Sequence, residues 1–173
     1  LGPVPAADLG RHAQTATPGY LSQGQALAET MDADARLVFL GGGAALGSAA
    51  FGAAKLHEAG GLPAWAYEAE NFTHGALFIP RKGDLVVLCG AGGAADARTW
   101  DMADGLRALG LSVMTCGQGA DLPPLLAALD CGIASQALCL AVAQERGLNV
   151  TDPAQGSGAD AVQKQFFAWT ADR

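Results

Sequence analysis

Leu37-Val38-Phe39-Leu40 runs straight into Gly41, Gly42 and Gly43, and a regular apolar pattern follows from Ala44 to Glu58. Four large apolar residues and then three glycines leave few structural options. They read as a strand buried on both faces, a turn tight enough to need glycine, and a helix that starts at the turn. A second apolar run, Ala64 to Tyr67, comes after the helix. A buried strand joined through a helix to another such strand is the unit of a parallel sheet with a right-handed crossover.

The alternation continues downstream. It predicts strands near residues 36–41, 64–68, 84–89 and 111–116, and a weak fifth around Leu122. Helices are expected from about Pro18 to Asp32, over residues 44–58 and 94–109, and over residues 124–146, the last interrupted in pattern near Gly132. Asn71 to Gly75 reads as a turn. The fold class is α/β, a three-layer αβα sandwich with helices on both faces of a parallel sheet. Residues 1–17 read as a lead-in with at most a short helix, residues 18–148 as the domain, and residues 149–173 as a tail. Phe166, Phe167 and Trp169 make that tail apolar enough to dock on the domain or on a neighbouring subunit.

Composition narrows the function. With 173 residues, half of them apolar and only 16% charged, the chain suits one packed domain and not a disordered one. A net charge of −7 with no basic run argues against a nucleic-acid or anionic-membrane surface. A membrane span needs about 20 apolar residues in succession, and polar residues interrupt every candidate stretch. No signal peptide is evident, so a cytoplasmic protein is expected, with Leu1 as a trimmed start. Cys89, Cys116, Cys131 and Cys139 form no C-x-x-C pair, and they are expected to be reduced core residues. His12, His57 and His74 lack metal-ligand spacing, so neither a metal nor another cofactor is expected.

Chemistry-bearing residues cluster around the glycine turn. N–H groups at a helix start suit an anionic or polyhydroxy ligand, which makes Gly42 and Gly43 candidate substrate-binding residues. Lys55 and Glu58 stand three apart and share a helix face. Glu68, Glu70 and His74 follow the second strand. As a dinucleotide fingerprint the turn is incomplete, because Leu46 stands where G-x-G-x-x-G has its third glycine. A phosphate-loop lysine and a nucleophile elbow are both absent.

LVFLGGG, GAAKLHE, YEAENFTHG and GLNVTDP, in this order and spacing, resemble the sugar isomerase (SIS) domain family over about residues 18–165. The likeness is to the second of the tandem domains in glucosamine-6-phosphate synthase and its phosphosugar isomerase and deaminase relatives. It implies a flavodoxin-like sandwich that works as a homodimer or beside a tandem partner domain, with a sugar phosphate as ligand. It also implies that Glu58 is the base moving a proton between C1 and C2 of the open-chain sugar. His74 would help to open the ring, often across a subunit interface, and Lys55 would lie near the sugar. The roles suit the residues. Aldose–ketose interconversion needs a carboxylate held near both carbons, and ring opening needs a group that exchanges protons near neutrality.

The chain departs from the family at four places. Phe51 stands where the synthases have a glutamate, and Gly158 where their tail carries a lysine, with Lys164 six residues late. Cys89-Gly90-Ala91-Gly92-Gly93 replaces the serine- and threonine-rich phosphate loop, and there is no amidotransferase domain. Three functions are therefore weighed: half of a phosphosugar isomerase or deaminase, a non-catalytic sugar-phosphate-binding or dimerisation module, and a dinucleotide-binding domain.

Overall fold

The computed structural model describes residues 4–119, 122–152 and Val162. The tail aromatics Phe166, Phe167 and Trp169, together with Gly158 and Lys164, lie outside the described residues. In chain order the elements are α1 (Ala6–Thr30), β1 (Leu37–Gly41), α2 (Ala45–Lys55), a π turn (Leu56–Gly60) and β2 (Ala64–Glu68). Then come α3 (Ala69–Thr73), β3 (Leu85–Cys89), α4 (Ala94–Ala108), β4 (Ser112–Cys116) and α5 (Pro124–Glu145). The four strands make one parallel sheet in the order β2-β1-β3-β4.

β1 and β3 are buried at every position, because alternate side chains of each strand enter two different cores. Leu37 and Phe39 face Ala45, Ala49, Ala53 and Leu56, with Leu138 and Val142 of α5 behind them. Val38 and Leu40 face Phe72 of α3 and Met102 and Leu106 of α4. The expected αβα sandwich is therefore present, with α1, α2 and α5 over one face and α3 and α4 over the other. Gly41 owes its place to close packing, since a Cβ there would collide with the Ala45 carbonyl. Gly43 is needed for its φ of 54°.

Several local expectations are corrected. The first helix begins at Ala6 and not near Pro18, so most of the supposed lead-in is helical and Pro18 lies inside the helix. Proline removes one helical N–H, but α1 is held by its packing along α5 and by two side-chain anchors on Asp130. Residues 69–73 form a helical turn in which the Glu68 carboxylate accepts from the Asn71 N–H at 3.0 Å. Leu122 is not in a strand, and α5 continues unbroken through Gly132. By length and composition α5 is apolar enough to cross a membrane; here its inner residues form the core under α1 and α2.

Candidate functional site

The C-terminal end of α2 carries the charged pair. Lys55 Nζ donates to Glu58 Oε2 at 2.5 Å, the i, i+3 contact that the sequence predicts. Glu58 lies on the π turn, a wider coil that often marks functional positions. His57 fixes this turn to β2, with Nε2 2.7 Å from the Ala64 carbonyl and 3.1 Å from its N–H. His57 is exposed, and its ring also ties the π turn to the start of β2. Lys55 and Glu58 line an open cavity of about 380 Å³ whose far wall is Gln136, Cys139 and Leu140 of α5. The Cys139 thiol donates to the Lys55 carbonyl at 3.1 Å, and burial pushes that thiol up. Glu58 keeps 56% of its side chain exposed. The Lys55 ammonium lies 5.5 Å from the centre of the Phe51 ring.

His74 is elsewhere. It caps α3 on the other face of the sheet and is exposed, with Nε2 3.3 Å from Glu70 Oε1. The second oxygen of Glu70 accepts from Arg98 Nε at 2.8 Å, and this partner holds the Glu70 carboxyl below its usual range. One copy of the chain therefore joins Lys55 to Glu58 and leaves His74 apart from both.

The glycine end of α2 is built differently. Strand order reverses between β1 and β3, so the crevice beyond their C-terminal ends is the general ligand position for such a sheet. Gly42 and Gly43 stand at its rim, but the first donors of α2 are engaged within the turn. Ala45, Leu46 and Gly47 N–H groups donate to the carbonyls of Gly42, Gly43 and Ala44 at 3.0, 3.2 and 3.3 Å. In the loop after β3, the buried Asp96 carboxylate accepts from Ala91 N at 3.0 Å and from Gly92 N at 2.7 Å. A carboxylate from the first turn of α4 thus lies where a loop of this kind would hold a phosphate. After β4, Asp130 accepts from Gly117 N at 2.7 Å, from His12 at 2.9 Å and from the Tyr20 hydroxyl. Burial, and then Asp130, push the Tyr20 phenol well above its usual range.

Sequence reading missed Asp96, Asp130 and the anchors on α1. An acid in the first turn of α4 behind a glycine loop is a recognisable signal for the first. The pairing of His12 with Asp130 spans 118 positions, and no local pattern announces it. A further unforeseen group is Cys89, Cys116 and Cys131, whose sulfurs all lie within 4.8 Å of one another in the core.

No protein-family model matches the sequence, and no curated protein matches it. Solved structures do. The C-terminal domain of glucosamine-fructose-6-phosphate aminotransferase from Francisella tularensis aligns with a TM-score of 0.71 over 83% of this chain and 44% of that one, at 20% identity. The fold is that of the sugar isomerase (SIS) domain. Tagatose-6-phosphate ketose/aldose isomerase from Escherichia coli aligns at 0.70, covering 84% of this chain and 45% of the other at 18% identity. Glucosamine-6-phosphate deaminase from Thermotoga maritima aligns at 0.64, with 79% and 44% covered and 25% identity. The chain thus spans under half the length of these three structures.

Proposed function

We propose that the chain is the proton-transfer half of a phosphosugar aldose–ketose isomerase or deaminase. A second SIS domain, in a tandem partner or another copy, would supply the phosphate loop. The observation that carries this reading is the Lys55–Glu58 pair at 2.5 Å on the wall of an open cavity. Its counterpart is negative in charge: Asp96 fills the loop where this domain would otherwise grip a phosphate. Glu58 is the base between C1 and C2, and Lys55 orients it and the sugar oxygens. A base of this kind works in a site closed to water, so whatever covers the cavity completes the site. His74, on the opposite face, serves a neighbouring site. Gly42 and Gly43 shape the crevice rim.

The Phe51–Lys55 contact favours a second reading, a non-catalytic sugar-phosphate-binding module. Isotope exchange at C1 or C2 of the sugar phosphate, measured in the intact assembly, separates the two. Glu58→Gln is expected to lower exchange by about 10²–10⁴-fold, the usual contribution of a positioned base. Sugar-phosphate affinity should change little. Equal exchange in variant and parent overturns the assignment and leaves the binding module.

A further inference from the structure

Cys89 and Cys116 are the last residues of β3 and β4 and are paired in register, so their side chains leave the sheet on the same face. That face is covered by α5, which brings Cys131 down onto them. Room for the third thiol comes from two glycines. A Cβ at Gly117 would stand 2.8 Å from Cys131 Sγ, and one at Gly90 would stand 2.5 Å from the Gly117 carbonyl. All three cysteines are fully or almost fully buried.

The three thiols face one another as polar groups. Cys116 Sγ is 3.7 Å from Cys89 Sγ and 3.6 Å from the Leu88 carbonyl, and Cys131 Sγ is 3.5 Å from the Gly90 carbonyl. With metal–thiolate bonds of about 2.3 Å, three sulfurs sharing one ion stand about 3.8–4.0 Å apart. The Cys89–Cys116 pair is already close to that at 3.7 Å, and all three sulfurs lie within 4.8 Å of one another, so an ion fits between them once the side chains adjust.

We propose that Cys89, Cys116 and Cys131 form an all-sulfur site for a soft d10 cation, copper(I). Thiolates select such ions over magnesium, calcium or manganese. Zinc normally asks for a fourth ligand, and the neighbouring carboxylate does not supply one. Asp130 Oδ1 is engaged by His12, and Oδ2 by Tyr20 and Gly117. A three-coordinate monovalent ion meets what the site provides. Each thiol that becomes a ligand gives up its proton, which passes to solvent at the loop end of the strands. The site is separate from the Lys55–Glu58 cavity, so it stands or falls independently of the catalytic reading.

The test is a titration of the reduced full chain with copper(I) against a chromophoric copper(I) chelator. Expected are one ion per chain, a thiolate-to-copper absorption band, and loss of both in Cys131→Ser and Cys116→Ser. Cys139→Ser, which changes the one cysteine outside the cluster, keeps both. If the cluster variants do not fold, X-ray absorption of the copper-loaded parent decides: three sulfur neighbours at about 2.3 Å support the site, and fewer than three overturn it. No stoichiometric copper(I) binding, unchanged binding in Cys131→Ser, or a preference for zinc(II) overturns it as well.

Discussion

Helix α2 joins two regions that treat polar groups in opposite ways. At its N-terminal end the loops after β1, β3 and β4 are matched from within: turn carbonyls take the first N–H groups of α2, Asp96 takes those of Ala91 and Gly92, and Asp130 takes that of Gly117. At its C-terminal end, about 15 Å away along the helix, an ammonium and a carboxylate pair on the wall of an open cavity. The first end spends its hydrogen-bonding capacity on holding the fold. The second keeps charge available to a ligand. Position in an α/β sheet alone would have pointed to the first, and the satisfaction of its donors points to the second.

Breaking the closed end should cost most. Asp130→Ala strands Gly117 N–H and the Tyr20 hydroxyl and releases His12, which predicts a loss of about 2–5 kcal/mol in denaturant unfolding. Gly41→Ala forces a methyl against the Ala45 carbonyl and is expected to cost about 1–3 kcal/mol. Asp96→Ala should cost about 1–2 kcal/mol, as the loss of a helix-start acceptor does. Its second signature is more telling. With the carboxylate gone, Ala91 and Gly92 N–H groups can take an anion, so inorganic phosphate should raise the melting temperature of Asp96→Ala and leave the parent unmoved.

The closed end should also show in alkali. Tyr20 is held above its usual range, so the folded state keeps a proton that the unfolded chain releases near pH 10. Its stabilising contribution is full below that pH and falls as pH rises through and beyond it, and Tyr20→Phe should flatten this alkaline loss. The smallest effect belongs to His74→Asn. An exposed residue whose ion-pair partner Glu70 is also held by Arg98 should leave stability within about 0.5 kcal/mol, checked by the same unfolding curves.

The sheet was readable because β1 and β3 are unbroken apolar runs ended by glycine, a pattern that a strand buried on both faces requires. Lys55 and Glu58 were readable because helical spacing places them together. Proline masked α1: Pro3 and Pro5 made residues 1–17 read as a lead-in and Pro18 read as a helix start, whereas the helix runs through Pro18 and is secured by its long-range contacts with α5. The polar closure of the sheet end was hidden for a related reason. Asp96 is local to its loop and detectable, but Asp130 meets its partners across 110 and 118 positions. The three-thiol cluster draws one residue from each of β3, β4 and α5, so sequence spacing carried no sign of it.

The contrast between the two ends is tested most directly by backbone amide shifts as an amino sugar phosphate is titrated into the isotope-labelled chain. The account predicts that Lys55 to Gly60 and the facing residues Gln136, Cys139 and Leu140 move, while Ala91, Gly92 and Gly117 stay in place. Shifts centred on Gly90 to Gly93 and Gly117, with Lys55 to Gly60 unmoved, would contradict it.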